Sequence, residues 1–273
     1  MDYTLLTPIR KLTRDLGINR VLGNLFFNHD SAAKKEYFDS NKPDKVTIDI
    51  FGKSIRMNVE NLSEYVRVKS YKNDTHILEY LESNLNDGDV FWDIGTNIGL
   101  YSLILGAKSS KVKVVCFEPE PRCFARLKAN IALNGFTNIE CHEIALSSEN
   151  SELLLNASPE FGVGDHSLMN KEIVGATTIK IQAVKGDDFA NSHPSVFPTV
   201  LKIDVEGAEI EVIKGLKEVM SNPKCRAVLC EVHFAILDKS NYDNGAKIIT
   251  HLLKSYGFTD VKWLDPSHIT AKK

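Results

Sequence analysis

No two cysteines in this sequence stand close enough to build a metal knuckle. The five, Cys116, Cys123, Cys141, Cys225 and Cys230, are widely spaced, and none forms a Cys-x-x-Cys pair. This argues against both a structural zinc site and a disulfide framework. Most of them lie in apolar runs, where a buried reduced thiol is the ordinary state. No apolar run approaches the roughly 18 residues that a membrane-spanning helix needs. The opening Met1-Asp2-Tyr3 lacks the basic-then-apolar pattern of a secretory leader, so a cytoplasmic location is expected. No stripe of Lys and Arg interleaved with aromatics is present, and the net charge of −3 gives no global pull toward nucleic acid. Nucleic acid is therefore not an expected partner. With 43% hydrophobic and 25% charged residues, the 273-residue chain has the composition of an ordinary globular protein. Its length suits one large domain or a domain with an extension.

Residues 1–28 place apolar side chains at Leu5, Leu6, Ile9, Leu12, Leu16, Val21, Leu22, Leu25 and Phe26, with Arg10, Lys11, Arg14 and Arg20 between them. That spacing predicts one or two helices packed on the rest of the chain. The lesser reading is a basic amphipathic segment in peripheral contact with a membrane surface. "KVTIDIFGKSIRMNV" predicts a strand, a tight turn and a second strand. From about residue 74 the rhythm changes. "THILEYLESNL" predicts a helix, "VFWDI" a buried strand and "IGLYSLILGAKSS" a helix. "KVKVVCFE" predicts a strand, "PRCFARLKANIALNGF" a helix stopped at Asn134-Gly135, and "IECHEIAL" a third strand. Short alternating strands in residues 147–186 interrupt the pattern. It resumes with "TVLKIDV", the helix "EGAEIEVIKGLKEVMS", the strand "RAVLCEVH", a helix near 242–256, and the final strands "DVKWLD" and "HITAKK". Such alternation implies parallel β-α-β units with right-handed crossovers.

The turn "DIGTNIG" follows the first of these strands. A dinucleotide fingerprint needs Gly-x-Gly-x-x-Gly, but Asn97 and Leu100 occupy the second and third places, and a side chain at Asn97 obstructs a pyrophosphate. A phosphate loop ending in Gly-Lys-Ser/Thr is absent as well. A smaller cofactor suits the turn. Gly95 and Gly99 keep the chain tight, free amides at the helix start favour a carboxylate, and Asp93 can accept from an ammonium. Glu118 ends the second strand, 23 positions after Gly95, where an acid binds ribose hydroxyls. Amino acid at one end and nucleoside at the other describe S-adenosylmethionine. The rival cofactor is NAD, which would make the chain an oxidoreductase.

"DGDVFWDIGTNIGLYSL", "CFEPEP", "LKIDVEGAEIEVIKG" and "LCEVH", in that order, resemble the FkbM family of S-adenosylmethionine-dependent methyltransferases over about residues 74–235. The resemblance implies an α/β class I methyltransferase (Rossmann-like) fold: a seven-stranded, mostly parallel sheet with helices on both faces. Residues 1–60 then form an N-terminal extension, and residues 61–273 the methyltransferase domain, with the β insertion inside it. It also implies O-methylation of a hydroxyl on a sugar, glycolipid precursor or secondary metabolite. The product is S-adenosylhomocysteine, and the partner is a small-molecule or glycan acceptor. On the family's pattern Asp93, Gly95, Asn97 and Gly99 match the first cofactor motif, Glu118 the ribose acid, and Ala145 the adenine lining. His76 stands where the family often carries an acid.

Ligands of such sheets bind beyond the carboxyl ends of the strands, where Asp204, Glu206, Glu231 and His233 fall. Transfer to a hydroxyl requires a base, and His233 is the first candidate because an unperturbed imidazole titrates near pH ~6.5. Glu231 is the second. Asp204 and Glu206 are read as positioning the acceptor or facing the sulfonium. A divalent ion on Asp204, Glu231 and His233 is the lesser reading, since no local motif such as His-x-x-x-His supports it; no metal is expected. Phe161, Gly162, Gly164, Asp165 and His166 in the inserted loop are read as a lid, and His142 and His193 as ordinary surface or loop histidines. The alternative to an enzyme is a non-catalytic protein that binds the cofactor or a glycan.

Overall fold

The computed structural model describes residues 34–157, 167–168, 177–239 and 244–273. The basic segment 1–28 and the lid residues Phe161 to His166 lie outside them. A hairpin comes first: β1 (Lys45–Ile50) and β2 (Lys53–Asn58) pair antiparallel. Their two-residue loop, Phe51 and Gly52, has φ of 50° and 70°, the double left-handed turn whose twist matches the strands. Helices α1 (Leu62–Ser70) and α2 (Thr75–Ser83) follow.

Then β3 (Val90–Ile94), α3 (Leu100–Lys108), β4 (Lys113–Phe117), α4 (Pro121–Asn134) and β5 (Ile139–His142) alternate. Helix α4 starts with Pro121 and the Glu120 side chain capping Cys123, and ends at Gly135 with φ of 66°. The expected single third strand is two. After β5 the chain leaves the main sheet, and β6 (Ala145–Ser147) joins β7 (Ser151–Ala157), β8 (Ser167–Leu168) and β9 (Thr177–Lys185) in a four-stranded sheet. Next come α5 (Gly186–Ser192), β10 (Val200–Ile203), α6 (Glu209–Gly215) and α7 (Lys217–Ser221). The helix expected to run unbroken here splits at Leu216, because the Asp187 carboxylate accepts from the amides of Glu218 and Val219 and caps a new start. The chain closes with β11 (Ala227–Glu231), α8 (Phe234–Lys239), α9 (Gly245–Ser255), β12 (Asp260–Trp263) and β13 (His268–Lys272).

The main sheet has seven strands in the order β12-β13-β11-β10-β3-β4-β5, with β13 antiparallel to both neighbours and the remaining pairs parallel. Its central strands are buried on both faces, as their unbroken apolar runs require. On one face Phe91, Val114 and Leu229 pack with α1–α4 and with Ile48, Ile55 and Met57 of the hairpin. On the other, Trp92, Val115, Leu201 and Val228 pack with α5, α6, α7 and α9. Four cysteines are buried, Cys141 partly so, and all five are free thiols. The chain runs outward from β3 to β5, then returns to β10 on the other side of β3. That reversal opens a crevice at the strand ends between β3 and β10. No helix among the described residues is long and apolar enough to cross a membrane.

Candidate active site

The glycine turn after β3 is shaped by its neighbour loop. At Gly95, with φ of 82°, a Cβ would lie 1.8 Å from the carbonyl oxygen of Asp204, so only glycine lets the loops after β3 and β10 meet. Asn97, at φ 53°, also bends left-handed, and its Oδ1 accepts from the Ile98 amide at 2.8 Å. Gly99 caps α3 at φ 96°, against Leu103 and Leu127. The amides of this turn, expected to be free for an anion, are satisfied by the chain itself. Those of Gly95 and Thr96 donate to the Phe117 carbonyl, that of Gly99 to Thr96, and that of Asn97 to Glu118 Oε2 at 2.7 Å.

A cavity lies over this turn, about 630 Å³ when the open solvent at its mouth is counted. Gly95, Asn97, Glu118, Ala145, Asp204 and Glu206 line it, with Ile94, Phe117, Leu146 and Leu155 as apolar wall and Arg67 of α1 as its cation. Glu118 is held by two amides, from Asn97 and from Glu120 at 2.9 Å to Oε1. Each carboxylate oxygen retains a lone pair, enough for two vicinal hydroxyls. Burial, against those two hydrogen bonds, pushes the Glu118 carboxyl up to about 7. The carboxylate beside an apolar slot fits the adenosine half of S-adenosylmethionine.

Asp93 sits elsewhere than expected. It is fully buried under the turn, with Oδ2 accepting from the Ser102 hydroxyl at 2.6 Å. Its ammonium partner belongs to the chain: Lys202, its direct neighbour across the β3–β10 pair, places Nζ 3.3 Å from Asp93 Oδ1 and 3.2 Å from Asp204 Oδ2. Burial works against the Lys202 charge, but Asp204 and Asp93 on either side raise its pKa above the ordinary lysine value. Burial likewise opposes the Asp204 charge, yet Lys202, His233 and Arg67 together hold its carboxyl below the usual range.

The four residues proposed for chemistry do converge. His233 directs Nδ1 to the buried Glu209 at 2.6 Å and Nε2 to Glu206 at 3.1 Å, with Asp204 at 3.8 Å and Glu231 at 4.0 Å. Burial lowers the pKa of this ring, and the hydrogen bond it donates to Glu209, with the charges of Asp204 and Glu206, overrides it, to about 9. The imidazole expected to titrate near pH ~6.5 thus stands among carboxylates that favour its charged form. Burial pushes Glu206 up to about 8, and Asp204 and Glu231 add to it against His233. Glu206 holds φ at 51°, a left-handed strain of the kind functional loops retain. Asp204, Glu206 and His233 offer donor atoms within 4.8 Å of one another, a spacing that can hold a divalent cation.

Three features escaped the sequence reading. Lys202 lies inside a strand, where the surrounding apolar run was its one signal of burial. Arg67 comes from α1, outside the recognised motifs. His142 ends β5 and stacks on Phe117, a cavity wall, while His193 is a loop residue, as read, and stacks on Phe189 with ring centres 4.2 Å apart. His76 meets Asp265 at 2.8 Å, so an acid does stand at that place, supplied by another loop.

The sequence profile of the methyltransferase FkbM domain matches residues 93–259. Hexuronic acid methyltransferase AglP of Haloferax volcanii is 30% identical over 208 residues, covering 76% of this chain and 82% of that protein. The 31-O-demethyl-FK506 methyltransferase FkbM of Streptomyces tacrolimicus is 27% identical over 209 residues, covering 67% and 77%. The crystal structure of Aeropyrum pernix fibrillarin with natively bound S-adenosyl-L-methionine aligns at a TM-score of 0.44 and 13% identity, over 83% of this chain and 81% of that one. The oxidoreductase alternative falls away, since the matching domain is that of a methyltransferase. A class I sheet, a turn built around Gly95 and a domain match over more than half the sequence agree: this chain belongs to the FkbM family of methyltransferases.

Proposed function

We propose that the chain transfers a methyl group from S-adenosylmethionine to a hydroxyl of a sugar or other small metabolite. The observation that carries this reading is one cavity bordered both by the amide-held Glu118 and by Glu206, which meets His233. The cofactor, when bound, supplies a methyl group on a positively charged sulfur, activated for in-line displacement. The chain's own work is to bind, to orient and to take a proton. Glu118 accepts from the ribose hydroxyls, the wall of Phe117, Ala145, Leu146 and Leu155 covers the base, and Arg67 meets the methionine carboxylate. Asp204, kept ionised by Lys202, faces positive charge. Glu206 accepts the acceptor's proton, since a carboxyl poised near 8 is a base matched to work close to neutrality. His233 keeps its own proton and holds Glu206 in place. The relative named for hexuronic acid supports a sugar acid or sugar as the acceptor class.

Calorimetry with S-adenosylhomocysteine tests the cofactor half, and mass spectrometry of products from a panel of uronic acids, glycans and hydroxylated metabolites tests the reaction. Glu206→Gln is expected to lower turnover roughly 10²–10⁴-fold, the usual contribution of a general base, while leaving the affinity for S-adenosylhomocysteine within about twofold. Binding without turnover on any acceptor would leave the non-catalytic reading in its place.

A further inference from the structure

The acceptor side of the cluster rests on a second histidine that no motif singles out. Glu231 ends β11, and its partner across the antiparallel pair is His268, the first residue of β13. His268 is buried, with Nε2 3.5 Å from Glu231 Oε2 and Nδ1 2.8 Å from Asp265 Oδ2. Asp265 is itself clamped. Its Oδ1 accepts from the Ser267 amide at 2.7 Å and the His268 amide at 2.9 Å, and its Oδ2 lies 2.8 Å from His76 Nε2. A carboxylate so supplied with donors stays ionised, and its pKa is held far below the usual range: burial opposes this, and His76, the Ser267 amide and His268 outweigh it. His268 therefore stands between two carboxylates, Asp265 on its own turn and Glu231 across the sheet. Asp74, at the start of α2, adds a third negative charge that interacts with it. Against burial, Glu231 and Asp265 raise the His268 pKa, which favours the form that donates from both nitrogens. Glu231 then reaches onward, its Oε1 4.0 Å from His233 Nε2.

We propose that His268, clamped by Asp265, is a positioning residue that fixes the Glu231 carboxylate at the acceptor side of the site, so that Asp265, His268, Glu231, His233 and Glu209 form one alternating chain of acids and imidazoles. The proposal rests on the methyl-transfer reading for its effect on rate, and on geometry alone for the contact. Among the described residues His268 is not part of the cavity lining, and its contact toward the cluster is Glu231.

The test is a double-mutant cycle of His268→Gln and Glu231→Gln, read as kcat, KM for the acceptor, pH profile and S-adenosylhomocysteine affinity. The expected result is a loss of roughly tenfold in kcat for His268→Gln, about 1.4 kcal/mol, with cofactor-product affinity unchanged and no further loss when the substitution is made in Glu231→Gln. Losses that multiply in the double variant, or wild-type kcat in His268→Gln, would overturn it. Proton NMR of the His268 ring supplies a readout that needs no turnover and keeps His268 in place. Its titration midpoint is expected to fall in Glu231→Gln, and an unmoved midpoint would overturn the contact. A wild-type chain with no turnover would refute the methyl-transfer reading, while the NMR result still decides this one.

Discussion

Replacing Lys202 by Met is the sharpest probe of the site's foundation. The lysine is 2% exposed and faces two carboxylates, Asp93 at 3.3 Å and Asp204 at 3.2 Å, with its ammonium 4.8 Å from the centre of the Tyr101 ring. Methionine fills nearly the same space, so the loss is one of charge rather than of packing. Asp93 is then left in the interior with the Ser102 hydroxyl and no cation. Removing one member of a buried ion pair costs about 3–5 kcal/mol, because the other charge stays desolvated. For a domain of this size each kcal/mol moves Tm by roughly 2–4 °C, so a fall of roughly 6–20 °C is expected. Urea unfolding followed by the fluorescence of Trp92, buried beside Asp93, reads the change directly. The deficit carries a pH signature as well. Burial already pushes the Asp93 pKa up, and loss of Lys202 removes the attraction that opposed it. A carboxyl whose folded pKa exceeds its unfolded one binds protons more tightly in the native state, so stability is recovered as pH falls. The deficit should therefore shrink between about pH 8 and about pH 5, and Asp93→Asn should restore part of it at the higher pH. A variant within about 1 kcal/mol of wild type at about pH 8, or a deficit that does not respond to acid, would refute this account of the ion pair.

Gly95→Ala should lose both stability and cofactor binding, since the new Cβ meets the Asp204 backbone at 1.8 Å and the left-handed φ alone costs about 1–2 kcal/mol; thermal melting with and without S-adenosylhomocysteine checks it. Glu118→Gln should weaken S-adenosylhomocysteine about 10–100-fold in calorimetry, the worth of one charge-assisted hydrogen bond, and should lower Tm as well, because its NH2 leaves one of the two backbone amides without an acceptor. His233, at about 9 in the fold against roughly 6.5 when unfolded, contributes stability that is complete below about pH 6.5 and is lost as pH rises through about 9. Glu206, pushed to about 8, adds a slope of the same sign. Urea midpoints across that window should fall in wild type and fall less steeply in His233→Gln.

The alternation of strands and helices was legible because the central strands are buried on both faces and so read as unbroken apolar runs. The turn at Gly95 was legible too, though the reason for its glycine was not. The residue that forbids a side chain there, Asp204, lies 109 positions away and meets it only through the β3–β10 pairing. His233 was found as a site residue, but the carboxylates around it were not legible as a shell around one ring, for the same reason. Its pKa is set by Asp204, Glu206 and Glu209, carboxylates whose approach the sequence does not display. Asp265 and His268 escaped notice because nothing in "LDPSHIT" hints that its imidazole faces the end of β11. The break at Leu216 follows Gly215, a poor helix former, but its position needed the distant Asp187, which caps the new start.

The contact at Gly95 has a mechanical meaning. Where the carbonyl of Asp204 rests against a bare α-carbon, the segments after β3 and β10 meet with no room for a side chain between them, and on the proposed reading they serve different reactants. Whatever displaces the first segment on seating its guest must nudge the second. By reciprocity, a guest that prefers the nudged position must in turn strengthen the hold on its companion.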